Sequence, residues 1–92
     1  MNAINLLENY TDLKTKKELL ECQGKDNSEL EAQIKSYNII KNSLSERKQK
    51  VLEMYFEKEH GYYRIASEIG YSVSTVKRDI NAIKAEFKKY LD

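Results

Sequence analysis

Ninety-two residues make one small domain, or a small domain carrying a helical arm, and the net charge is only +1. No stretch approaches the roughly 20 apolar residues of a membrane span, and the lone Cys22 with the lone His60 gives neither a disulfide framework nor a zinc ligand set. Any affinity for nucleic acid must therefore come from where charge is placed, not from its total.

The N-terminus, MNAINLLENYTDLK, has neither a basic start nor an apolar run, so no secretory signal is expected. A single cysteine fits a reduced, cytoplasmic setting. There is no proline, there are three glycines and 34% of residues are charged, a composition that predicts helix nearly throughout. The expected fold is all-α, with about five helices. An N-terminal antiparallel helical hairpin over residues 1–43 precedes a three-helix helix-turn-helix domain over 44–92.

The first helix is predicted from Asn2 to Cys22. Leu6, Tyr10, Leu13 and Leu20 form a near-heptad seam, which Lys17 interrupts and Ile4, Leu7 and Leu19 widen. A loop, QGKDN, follows. Ser28 then offers an N-cap, with Glu31 completing a capping box. The second helix is predicted from Glu29 to Lys41, its seam carried by Leu30, Ile34, Tyr37 and Leu44 with Ile40 beside it. Two seamed helices joined by a short loop make a hairpin. It either covers the remaining core or serves as a protein–protein arm for homodimerisation.

Ser43 or Ser45 can cap the third helix, and Ser43 with Glu46 fits a capping box. That helix is predicted to run to Glu59, with Val51, Leu52 and Tyr55 as its stripe and Met54 and Phe56 at the edges. His60 and Gly61 are expected to close it. The fourth helix, Tyr62 to Ile69, is short and carries Ile65, the small Ala66 and Ile69. Gly70 then permits the positive φ of a tight turn between crossing helices.

Ser72 or Ser74 can cap the fifth helix. Val73, Val76, Ile80, Ile83 and Phe87 fall there within an arc of roughly 80° at 100° per residue. Ser74, Lys77, Arg78, Asn81, Ala85 and Lys88 fall on the other side. This polar, basic face suits a major groove, where lysine and arginine donate to guanine and asparagine pairs with adenine. The first turns of such a helix reach the bases, which nominates Ser74, Thr75, Lys77, Arg78 and Asn81 for base readout. Tyr62, Tyr63, Arg64 and Ser72, with Arg47, Lys48, Lys84 and Lys88, are nominated for phosphates. Residues 1–43 hold six lysines and seven acids, and residues 44–92 hold ten basic and eight acidic residues. The second half thus carries the weak positive excess.

Residues 44–88, LSERKQKVLEMYF…YYRIASEIGYSVSTVKRDINAIKAEFK, resemble sigma-factor region four and its helix-turn-helix relatives. The matching positions are Leu44, Arg47, Val51, Leu52, Ile65, Ala66, Ile69, Gly70, Ser72, Thr75, Val76 and Lys77. The helical hairpin ahead of such a domain resembles small phage and prophage regulators of the ArpU and RinA type. Together the resemblances imply a sequence-specific activator of phage genes that binds double-stranded DNA and acts near RNA polymerase. These residues include no segment resembling one that melts a promoter, so the chain is not expected to replace a sigma factor alone.

Two other readings stay open. Small phage terminase subunits also join a helix-turn-helix to a helical oligomerisation element. A sigma-like protein-interaction adaptor would need little DNA affinity, which the near-zero charge allows. An enzyme is not expected: there is one histidine, one cysteine, no Gly-rich phosphate loop and no ligand cluster. No cofactor and no metal are expected either. Glu8, Glu18 and Glu53 are expected to be solvated helix faces.

Overall fold

The computed structural model describes residues 2–91. Helix α1 spans Ala3–Cys22, α2 Ser28–Asn42, α3 Glu46–Leu52, α4 Tyr62–Ile69 and α5 Val73–Leu91. The last part of the predicted third helix, Glu53–Glu57, is a π-helical turn continuing α3. The fold is all-α, as the composition predicts.

Helix α1 starts on Asn2, whose Oδ1 accepts the Asn5 N–H at 2.9 Å. It ends through Gly24 at φ +67, with the Lys25 N–H donating to the Leu20 carbonyl at 2.9 Å. This is the Schellman closure that a left-handed glycine allows. Five residues later α2 returns antiparallel. Tyr10 lies against Tyr37 near the root, and Leu20 and Leu30 flank one groove at the tip.

The expected capping box at Ser28 does not form. Asp26 lies two residues upstream and its Oδ1 takes the Ser28 N–H at 3.1 Å, so the helix starts one residue early. Ser43 does not cap α3 either. Its hydroxyl donates back to the Ile40 carbonyl at 2.6 Å and closes α2. Ser45 is the cap of α3, accepting the Lys48 N–H at 3.3 Å.

The end of the third helix also departs from expectation. The Lys58 N–H reaches the Glu53 carbonyl at 2.9 Å, five residues back, and the His60 N–H reaches the Met54 carbonyl at 2.8 Å. The left-handed residue here is Glu59, at φ +57. Gly61 is extended, at φ −75 and ψ 165, and precedes α4 as its N-cap. An i→i−5 bond fits one more residue into the turn than an α-helix holds. The backbone reversal therefore falls before Gly61. His60 Nδ1 is buried there with no hydrogen-bond partner among the described residues.

One hydrophobic cluster runs from Ala3 in α1 to Phe87 in α5. Leu6, Leu7, Tyr10 and Leu13 of α1 and Tyr37 and Ile40 of α2 are buried in it. The root of the hairpin thus packs on the helix-turn-helix. Beyond Leu13 the seam is less covered: Leu20, Leu30 and Ile34 are half-buried, and Leu19 is exposed. The distal half of the hairpin projects from the core, which accounts for an extent of 46 × 25 × 19 Å.

Tyr37 joins the two parts. It is fully buried, stacks on Tyr10 at 3.7 Å and 9°, and meets Phe87 at 5.5 Å. Its hydroxyl donates to Glu57 Oε2 at 2.7 Å. Lys41, one turn on, bridges Glu53 at 2.8 Å and Glu57 at 3.3 Å. Burial and the bond to Glu57 push the Tyr37 phenol well above its usual value. Burial opposes the charge on Lys41, but the hydrogen bond to Glu53 and the two carboxylates outweigh it, so its affinity for a proton rises.

Both groups hold their protons more tightly folded than unfolded. The stability they contribute is full below their unfolded values, near pH 10, and is lost as pH rises beyond them. Above pH 10 an unfolded tyrosine loses a proton that folded Tyr37 keeps, so stability falls by about 1.4 kcal/mol per pH unit from this group alone. In urea titrations, Tyr37→Phe should cost about 1–2 kcal/mol at neutral pH and flatten this alkaline slope. Tyr37→Ala should cost about 3–5 kcal/mol. An unchanged alkaline slope in Tyr37→Phe would refute the assignment.

Candidate nucleic-acid interface

The turn between α4 and α5 is built from three bonds. Gly70 sits at φ +75 and its N–H reaches the Ala66 carbonyl at 3.0 Å. The Tyr71 N–H shares that carbonyl at 3.1 Å. Ser72 Oγ then accepts the Thr75 N–H at 3.2 Å and caps α5. A residue with a Cβ would be strained at Gly70 by its backbone angle, though its surroundings leave open space.

Helix α5 turns its two faces as its periodicity predicts. Val76, Ile80, Ile83 and Phe87 are buried and Val73 is half-buried. Ser74, Lys77, Arg78, Asn81, Ala85 and Lys88 are all exposed. At 1.5 Å per residue the polar face is about 21 Å long, enough for one passage of a major groove. Thr75 and Lys84 are half-buried at its margins. The Thr75 hydroxyl lies 3.0 Å from that of Ser72, so both are engaged in starting the helix.

The nominated phosphate ligands are placed unevenly. Tyr63 is 81% exposed at the start of α4. Arg64, also exposed, donates from Nε to Glu68 at 3.3 Å, a solvent-facing pair one turn apart. Lys48 is half-buried in the first turn of α3. Tyr62 is half-buried, stacked on Tyr55 at 5.5 Å and 8°, with the two hydroxyls 3.4 Å apart. The Lys77 ammonium stands 5.3 Å from the Tyr62 ring centroid.

Arg47 is engaged elsewhere than its nomination implies. Its Nε and Nη2 donate to Asp79 Oδ2 and Oδ1 at 2.8 and 2.9 Å, a bidentate fork. Its guanidinium also lies 4.7 Å from the Tyr71 ring centroid. The bond to Asp79 holds the guanidinium even more firmly protonated than usual. Asp79, 3% exposed, is the buried charged residue among those described. Arg47 thus ties α3 to the inner side of α5, and with Tyr71 to the turn.

Sequence reasoning passed over Asp79, although helical phase carries the signal. It lies about 40° beyond Ile83, at the edge of the core arc and away from the groove face. An acidic residue there needs a cation, and Arg47 supplies it. Removing Arg47 alone leaves a buried carboxylate unpaired. Arg47→Leu is therefore expected to melt at a lower temperature than the double variant Arg47→Leu, Asp79→Leu. A double variant that melts below the single one would refute this account of the pair.

A search of curated proteins and of solved structures returned no match. The family model described as sigma-70, region 4 matches residues 40–86, just over half of the chain. The match runs from the last turn of α2 through α3, the π-helical turn and α4, and into α5 as far as the residue before Phe87. Its helix-turn-helix is the one whose turn, cap and two-faced second helix are described above. The chain belongs to the sigma-70 region 4 family of DNA-binding helix-turn-helix proteins.

Proposed function

We propose that this chain is a sequence-specific regulator of transcription that binds double-stranded DNA through α5. The observation that carries this is the exposure of Ser74, Lys77, Arg78, Asn81, Ala85 and Lys88 along one face, with the buried apolar residues on the other side of the helix. Lys77, Arg78 and Asn81 have the donors and acceptors for base edges. Tyr63, Arg64, Lys84 and Lys88 flank them as phosphate contacts. The resemblance of the hairpin to small phage regulators supports a phage or prophage origin and a cytoplasmic role beside RNA polymerase. No helix among the described residues is long and apolar enough to cross a membrane.

The hairpin supports a second part of the proposal. Its distal half leaves Leu19 exposed and Leu20, Leu30 and Ile34 incompletely covered. A second copy seated there would place two recognition helices on one DNA site. With a net charge of +1, a single copy is expected to bind modestly, so pairing would supply affinity. The same low charge favours, as the second reading, an adaptor that binds protein partners through the sigma-like fold.

Selection from a random duplex library tests the reading. A defined site should emerge, with two-fold symmetry if two copies bind. Affinity for it should fall steeply as salt rises, because phosphate contacts release counterions. Lys77→Ala and Arg78→Ala should each weaken binding by about 1–3 kcal/mol where the side chain meets a base. Selection of no sequence by the wild-type chain would abandon this function in favour of the adaptor.

A further inference from the structure

Tyr62 stands at the start of α4 with a hydroxyl able to meet a phosphate. The structure gives that residue different surroundings. Its ring is half-buried and stacked nearly parallel to Tyr55, itself set edge-on to Phe56 at 4.9 Å and 88°. Its hydroxyl lies 3.4 Å from that of Tyr55. Phe56 is buried in the core, so the aromatic series runs from the core to the groove face. At its outer end the Lys77 ammonium faces the Tyr62 ring at 5.3 Å from the centroid.

We infer that Tyr62 is a positioning residue for base readout: its ring face holds Lys77 in one direction, and so sets which base pair Lys77 discriminates. The inference rests on the proposed DNA-binding function. A lysine is a compact charge on a flexible four-carbon stem, and an exposed one samples many rotamers. A donor that must meet one guanine loses entropy on binding, and holding it beforehand reduces that loss. An aromatic face does so while leaving the ammonium donors available, because the attraction is to the ring quadrupole rather than to a fixed acceptor. The ring is itself held by the Tyr55 stack, so the direction is fixed relative to the groove face.

Two substitutions separate this role from a phosphate contact. Tyr62→Phe removes the hydroxyl and keeps the ring. Tyr62→Leu removes both. On the site selected by the wild-type chain, affinities for all single-base-pair variants are measured at fixed salt for wild type, Tyr62→Phe, Tyr62→Leu and Lys77→Ala. Lys77→Ala should flatten the preference at one base pair. Tyr62→Leu should reduce discrimination at that same pair by about 2–5-fold, the scale of an exposed cation–π contact, and leave other positions unchanged. Tyr62→Phe should keep the wild-type discrimination at that pair, because the ring face remains.

A Tyr62→Leu profile equal to wild type would overturn the inference while leaving the DNA-binding function intact. So would a uniform loss of affinity in Tyr62→Phe, which would mark a phosphate contact. Selection of no sequence by wild type would overturn both. A measurement on the free protein stands apart from DNA and from any loss of folding in Tyr62→Leu. The Lys77 side-chain protons should show ring-current NMR shifts in wild type and in Tyr62→Phe, and their absence in wild type would also overturn the inference.

Discussion

The structure depends on how one buried tyrosine is satisfied. Tyr37 brings its ring into the core from α2 and presents it to Tyr10 of α1 and Phe87 of α5. A phenol so placed needs a partner for its hydroxyl, since an unpaired one would offset part of what burying the ring contributes. Glu57 meets it at 2.7 Å, and Lys41 offsets the charge on Glu57. The acceptor lies on the π-helical turn, outside the hairpin. Burying the ring therefore fixes α1 and α2 against the helix-turn-helix, and the end of α3 against α2.

The recognition helix is held from behind by a different kind of contact. Val76, Ile80, Ile83 and Phe87 supply attraction without direction. The fork from Arg47 to Asp79 supplies direction, because two parallel bonds of fixed geometry restrict how α5 can rotate about its axis. Rotation matters more for this helix than for the others. A turn of a few tens of degrees would exchange Lys77 and Asn81 for their neighbours at the groove. Gly70 and the Ser72 cap fix where the helix begins, and the ion pair fixes which way it faces.

Much of this was legible in the sequence where the signal was local. Periodicity placed both faces of α5, periodicity with Gly70 placed α4, and the loop between α1 and α2 was read at Gln23–Asn27. The failures have physical causes. Ser28 and Ser43 each had the spacing of a capping box, but Asp26 and the Ile40 carbonyl offered nearer partners. Gly61 looked like a helix terminator, but Glu59 took the left-handed conformation. Contacts joining distant residues were not visible: Tyr37 and Glu57 are 20 positions apart, and Arg47 and Asp79 are 32 apart. Glu53 was expected on a solvated face but pairs with Lys41. Leu19 was expected to widen the seam and instead faces solvent, because the core ends near Leu13.

The π-helical turn at Glu53–Glu57 carries a consequence for chain length. It holds five residues where an α-helical turn would hold about four, so α3 contains one residue more than its axial span requires. The surplus residue is absorbed beside the tyrosine that faces Tyr62 and the glutamate that faces Tyr37. Losing one residue there would return the turn to an ordinary α-helical one, with Ser45 at one end of the segment and Gly61 at the other left in place. What would change is the angular placement of those two side chains, and with it both the seat of the hairpin and the aromatic surface beside the groove face. A single-residue deletion in this turn would therefore re-aim the arm and the readout surface together, with the helix-turn-helix core left in place.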